Sequence, residues 1–343
     1  MIRTRGRRLI LILLGLFVVA LAACSLAVGE FRVPLGAISD SLVHGISGRD
    51  LSNPAEKVVW FGRLPTALTA LLAGASLGAA GLLMQTFFRN PLAGPDVMGV
   101  SAGASLGVAL VTLAKGSDVF LATDALAQIG TLAAASAGAM AVLLLALLAA
   151  RWYDDALTLL VLGLMFAALA TGVVGMVAVF ARSERLQEYV QWTFGSFFGS
   201  WERLPSFASI VALGLGASIA LLKPLNVLQL GPEYAQALGV ALRRTRVLVL
   251  GAAALLTGAT TAVCGPIAFL GIAAPHLARI AFRTSDHRWL LPASILIGAG
   301  LAVAVDIAAK TLARPAILPI NTVSGVLGAP FVIWVVLRWR PRA

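Results

Sequence analysis

Nucleotide binding and ion transfer each have definite residue requirements, and the lysines test the first of them. A nucleotide-binding loop needs Gly-Lys followed by Ser or Thr, because that lysine must reach the β- and γ-phosphates. The four lysines here are Lys57, Lys115, Lys223 and Lys310, and glycine precedes none of them. ATP binding by that route is excluded. An ion-driven carrier needs ionisable groups deep within its membrane spans. Only Asp306 and Lys310 come close, one helical turn apart near the end of an apolar run. Their spacing fits an i, i+4 pair that snorkels to the interface. His44, His276 and His287 lack paired metal-ligand spacing, as do Cys24 and Cys264. No metal site and no cofactor is expected. His276 reads as a helix-end hydrogen bonder, and the cysteines read as small buried hydrophobes.

One polar segment has the marks of a contact element. Gly231-Pro232-Glu233-Tyr234-Ala235-Gln236-Ala237-Leu238-Gly239-Val240 reads as a short amphipathic helix. Pro232 suits the first turn, Glu233 favours the positive end of the dipole, and Gly239 suits the stop. Such a helix is either an interfacial linker or a docking helix for a cytoplasmic partner.

These residues must be positioned by an apolar framework. Hydrophobic residues make up 59% of the 343 positions and charged residues 12%, against roughly 25% charged in an ordinary soluble domain. Water cannot solvate that much apolar surface in one globule, so lipid is the solvent. The net charge of +11 does not indicate nucleic acid. The basic residues sit at the ends of apolar runs, as topology signals and anionic headgroup contacts do. Residues 1–25 resemble a lipoprotein leader ending at Cys24, but the chain goes on crossing the membrane, so 9–28 is expected to be a retained first span.

Spans of about 20 apolar residues are predicted at 9–28, 64–87, 97–114, 125–150, 157–181, 204–222, 245–265, 288–311 and 321–338. The stretch Gly265–Arg283 is apolar but short and broken by Gly265, Pro266, Gly271 and Pro275. Counting it gives ten spans; omitting it gives nine. With ten spans and both termini inside, 16 of the 26 Lys and Arg face the cytoplasm, which favours ten. Gly74 with Gly78, and Gly99 with Gly103 and Gly107, supply the close backbone approach that packs helices in lipid. A shift of 184 residues lays Gly74 on Gly258, Gly81 on Gly265 and Pro91 on Pro275. Under the ten-span count the copies run in opposite directions, a transporter signature. The expected fold is therefore a single all-α integral membrane domain over 1–343. It has about ten transmembrane helices and an inverted repeat with halves near 63–181 and 245–338.

Seven blocks then carry a resemblance. Arg63-Leu64-Pro65, Gly81 to Gln85 and Arg89-Asn90-Pro91-Leu92-Ala93-Gly94-Pro95 open the series, and Gln191-Trp192-Thr193-Phe194-Gly195-Ser196 follows. Gly265-Pro266-Ile267-Ala268-Phe269-Leu270-Gly271, Pro275-His276-Leu277-Ala278-Arg279 and Gly328-Ala329-Pro330-Phe331 complete it. With the 233–240 segment, this series resembles FecCD-type permeases, the membrane subunits of importers for iron-siderophores, haem and cobalamin. It departs from that family at Thr66, at Ile317-Leu318-Pro319 and at Asn321.

The resemblance implies a bacterial inner-membrane permease that is not itself an enzyme. Its partners would be two cytoplasmic ATP-binding-cassette ATPase subunits, a second permease (identical or sister) and a periplasmic or lipid-anchored binding protein. It implies ATPase coupling through Glu233, Tyr234, Ala237, Leu238 and Gly239, and a cytoplasmic gate at Asn90, Pro91 and Leu92. It also implies binding-protein docking by Arg63 and Arg314, with Arg63 reaching outward. An iron-siderophore is the first-choice cargo, ahead of haem and cobalamin. The alternative is an ion-coupled secondary transporter of a small solute.

Overall fold

The computed structural model describes residues 4–29, 31, 33–51, 53–113, 130–153, 155–313 and 316–338. Among them all regular structure is helical: α1 Thr4–Ala27, α2 Leu35–Ser47, α3 Pro54–Phe87, α4 Val100–Leu113, α5 Thr131–Trp152, α6 Ala156–Val179 and α7 Ser183–Thr193. There follow α8 Leu204–Ala220, α9 Leu222–Leu228, α10 Pro232–Ala237, α11 Leu242–Cys264, α12 Leu270–Phe282, α13 His287–Thr311 and α14 Ile320–Arg338. Six helices are long and apolar enough to span a bilayer: α1, α3, α5, α6, α11 and α13. The pair α8–α9, bent by 53°, makes a seventh candidate, and α4, α12 and α14 carry shorter apolar stretches. These ten segments stand in the order that the sequence predicts. The 13 residues of α12 reach only ~20 Å of a ~30 Å hydrocarbon core. The irregular Gly265–Phe269 lead-in accompanies it, as Asn90–Gly99 accompanies α4.

Helix α3 is the axis of the bundle, buried at every residue from Ala73 to Phe87. Lipid gives helices no hydrophobic reason to associate, so packing depends on how closely backbones approach. Gly74 and Gly298 meet across α3 and α13, and a Cβ on either would lie 2.2 Å from the other's carbonyl oxygen. Gly103 and Gly138 join α4 to α5 in the same way.

The two halves interlock. α3 packs on α12 and α13, while α11 packs on α4 and α5, so each half's first helix is held by the other half. Gly258 of α11 lies against the Ala139 side chain of α5, a looser approach than that of Gly74 to Gly298. With each of the ten segments counted as a crossing, five separate the start of α3 from that of α11, so the copies run in opposite senses.

The sequence places the start of the second span at residue 64, but the helix begins ten residues earlier, at Pro54. A π turn at Val58–Arg63 makes this possible: the Leu64 N–H bonds Val59 O, and Pro65 follows with no N–H to give. Trp60 O is thereby left without its helical donor, and Trp201 Nε1 supplies one at 2.8 Å, the two indole rings lying 5.0 Å apart. The basic residues at helix ends also bond carbonyls: Arg243 donates to Arg151 O and Arg246 to Tyr153 O, each at 3.2 Å, at the C-terminus of α5.

Candidate functional site

Two groups of functional candidates lie at opposite ends of α3, ~36 Å apart for the 24 helical residues between Arg63 and Phe88 at 1.5 Å each. At the Arg89 end the helix closes on a strained turn. Arg89 has φ of 50°, a left-handed conformation that costs a side-chain-bearing residue energy. Asn90 Oδ1 then accepts from the Leu92 N–H at 2.9 Å, fixing Asn90, Pro91 and Leu92 as a compact, half-buried turn. Pro95 lies on Gly271, and Gly94 faces Ile272. Helix α3 reaches the same place from the other side. A Cβ on Gly81 would sit 1.7 Å from Gly271 O, so only glycine fits. Gln85 Nε2 donates to Ile272 O at 3.2 Å, and Gln85 Oε1 accepts from Arg279. Four of the motif blocks therefore meet around α12.

The next layer outward is polar. His287, 1% exposed, has Nε2 2.8 Å from Thr86 Oγ1 and Nδ1 2.8 Å from both Asn226 Oδ1 and Gln229 Nε2. Gln229 also donates to Ser285 O, and Asn226 Nδ2 donates to Asp286 Oδ1, each at 2.8 Å. Asp286 caps α13 through the Arg288 N–H at 2.9 Å. Burial opposes its charge, but that N–H, the Asn226 amide and the Arg288 and His287 charges outweigh it, so the carboxyl sits below its ordinary range.

Asn226 belongs to α9 and Gln229 follows it. Helix α9 touches α3, α13 and α10. Helix α10 is the amphipathic helix that the sequence predicts. Val240 N–H returns to Ala235 O at 2.9 Å, and Gly239 takes φ of 82°. Ala235 is fully buried and anchors it, while Glu233, Tyr234, Ala237, Leu238 and Gly239 are all exposed. Leaving Tyr234 69% and Leu238 65% exposed beside a carboxylate makes a protruding, partly apolar knob.

The Arg63 end is organised differently. Arg63 does not reach outward. It is buried, with its guanidinium donating to Leu26 O at 2.8 Å and Phe31 O at 2.5 Å. The carbonyls left over at the end of α1 attract it, and Gly29 leaves room, since a Cβ there would lie 2.8 Å from Arg63 NH2. Arg314 lies outside the described residues. A cavity of about 440 Å³ adjoins Arg63, with Phe194, Phe197, Leu318, Asp306 and Lys310 in its wall. Lys310 Nζ bonds Asp306 Oδ2 at 2.5 Å as the spacing predicts. Asp306 is buried and Lys310 half-buried against this cavity, in the last turns of α13.

Asn321 closes this end. Its Nδ2 donates to Thr193 O at 2.9 Å and Pro266 O at 2.6 Å, and its Oδ1 accepts from the Ala268 N–H at 3.2 Å. One side chain thus holds the 191–196 block against the break before α12. Phe269 in that break has φ of 68° and packs on Gly328. His276 is inside α12, not at its end, and meets Phe331 edge-on at 5.8 Å.

Residues 15–338 match the FecCD transport family. The chain belongs to the FecCD transport family. This FecCD-family chain is 35% identical to the hemin transport system permease protein HmuU of Yersinia pestis, over 84% of its own length and 86% of that protein. It is 36% identical to the vitamin B12 import system permease protein BtuC of Klebsiella pneumoniae (86% and 87%), and 35% identical to the ferric enterobactin transport system permease protein FepG of Escherichia coli (92% and 94%). Among solved structures it resembles an inward-facing metal-chelate type ABC transporter, with a TM-score of 0.81, 29% identity and coverage of 96% and 99% of the two chains. It is a multi-pass transport permease.

Proposed function

We propose that this chain imports a metal chelate across the bacterial inner membrane as the permease subunit of an ATP-binding-cassette importer, an iron-siderophore being the first-choice cargo ahead of haem and cobalamin. The observation that carries the reading is the match over residues 15–338, joined to an exposed helix α10 tied through α9 to the gate end of α3. The named relatives are permeases of a hemin transport, a ferric enterobactin transport and a vitamin B12 import system, and nothing favours the ion-coupled carrier.

In this reading two cytoplasmic ATPase subunits dock on Glu233, Tyr234, Ala237, Leu238 and Gly239. Their closure moves α10 and α9, and the His287 cluster passes the movement to Thr86 and the turn Asn90-Pro91-Leu92. A second permease, identical or sister, completes the pathway. A periplasmic or lipid-anchored binding protein docks at the opposite end, on the loop that Arg63 braces and on Arg314. Both termini are cytoplasmic, so a reporter fused after Ala343 should be active only in its cytoplasmic form; periplasmic activity would reverse the topology. Cells lacking the chain should fail to accumulate labelled ferric siderophore and recover when it is restored. Unchanged accumulation of every chelate tried, siderophore, haem and cobalamin alike, would defeat the proposal.

A further inference from the structure

A second cavity, of about 200 Å³, opens at the Arg89 end, with Arg89, Arg279, Gln85, Gln229, Ser285 and His287 in its wall. It is too small for a chelate, since pockets for drug-sized ligands run to about 300–1,000 Å³. All its lining residues but Leu290 are polar, and they include two guanidinium groups and no carboxylate. Arg279 is half-buried, and its hydrogen bond goes to a neutral acceptor, Gln85 Oε1. Among the described residues no carboxylate forms an ion pair with Arg279 or Arg89. The neighbouring carboxylate, Asp286, is turned to Asn226 and the Arg288 N–H. A cation drawn partly out of water is ordinarily paired with an anion, and Arg279 has only a neutral partner.

We propose that this cavity binds a single phosphate group, of the kind carried by anionic phospholipid headgroups and by free inorganic phosphate. Guanidinium groups bind phosphate through paired N–H donors, and Arg89 and Arg279 supply two of them to one wall. Arg89 suits this role because its left-handed backbone, held by the Asn90 N–H to Gln85 O bond at 3.1 Å, fixes where its side chain starts. Basic pockets between spans on the cytoplasmic side take lipid headgroups in this way. Only the assignment to that side rests on the transport reading; anion binding does not depend on it. The bound group would bridge Arg279 of α12 to Arg89 beside the gate turn.

The test uses the full chain in detergent. Lipid adducts are counted by native mass spectrometry with added phosphatidylglycerol or phosphatidylcholine, and thermal unfolding is followed in an inorganic phosphate titration. One retained phosphatidylglycerol, with no response to inorganic phosphate, identifies a lipid headgroup. A saturable phosphate response that displaces the lipid identifies free phosphate as a competent ligand. In either case Arg89→Gln and Arg279→Gln should weaken binding at least fivefold, and Arg283→Gln, an exposed arginine outside the cavity, should not. Arg89 is exposed and its side chain holds no other element, so Arg89→Gln remains decisive if Arg279→Gln fails to fold. Equal binding by wild type and Arg89→Gln, or equal loss in Arg283→Gln, would overturn the proposal. Preserved anion binding in a chain that imports no chelate would leave this site standing and the transport reading defeated.

Discussion

Thr86 Oγ1 and His287 Nε2 stand 2.8 Å apart although 201 positions separate them in the chain. The contact ties the C-terminal end of α3 to the first residue of α13, and the same imidazole ring touches Asn226 and Gln229 beside α10. Thr86→Val keeps the shape of the side chain and removes the hydroxyl. A buried ring nitrogen left without its partner costs about 1–3 kcal/mol. The ATPase should still bind and hydrolyse, and the ATP consumed per chelate imported should rise several-fold. An unchanged ratio would show that the His287 cluster carries no coupling.

The proposed role of α10 makes a separable prediction. Leu238→Arg and Glu233→Arg alter exposed side chains, so insertion and thermal stability should stay within about 0.5 kcal/mol of wild type. Co-purification with the ATPase should fall at least tenfold, as for the loss of an interface anchor worth about 1–2 kcal/mol. Full retention of the ATPase by either variant would remove α10 from the interface.

Arg63 predicts an effect on stability where a surface arginine would affect charge alone. Arg63→Ala leaves Leu26 O and Phe31 O without their donor, at about 1–3 kcal/mol for each buried group, against about 0.2–1 kcal/mol for an exposed ion pair. Thermal unfolding should show the loss, and binding-protein association should weaken by an amount that salt does not change. Arg314→Glu should instead slow association at low salt and recover as salt rises. A salt-dependent on-rate defect in Arg63→Ala, with normal stability, would return Arg63 to the docking surface.

Gly81→Ala should be among the most damaging single-methyl changes in the chain, because its Cβ would overlap Gly271 O. Overpacking typically costs about 1–3 kcal/mol, and a backbone neighbour has little room to yield. Gly172→Ala meets nothing within 4 Å and should be neutral or slightly stabilising. Similar melting temperatures for the two variants would show that the α3–α12 approach is looser than described.

Much of this was legible in the sequence because lipid makes the code simple. Apolar length marked nine of the helical segments and basic residues the tenth, and small residues at four-residue spacing marked the α3 and α4 seams. Pro232, Glu233 and Gly239 bounded α10. What escaped were relationships set by tertiary contact. The early start of α3 was hidden because Pro65 reads as a helix opening, and only the π turn explains how it lies inside one. Arg63 looked like a rim charge because a terminal carbonyl 37 positions away has no sequence signature. The His287 cluster draws Thr86, Asn226 and Gln229 from separate segments, none of which forms a motif alone. Asn321 was visible only as a departure from the family pattern, with nothing to show that it holds Thr193, Pro266 and Ala268 together.

The central claim is ATP-driven import, and the most direct measurement is uptake into proteoliposomes. The chain is reconstituted with its ATPase and binding protein, labelled ferric siderophore is supplied on the binding-protein side, and ATP is supplied on the ATPase side. Accumulation should require both ATP and the binding protein, survive ionophores that collapse proton and sodium gradients, and be lost in Leu238→Arg. Accumulation that proceeds without ATP and stops when the ion gradient is collapsed would contradict the claim.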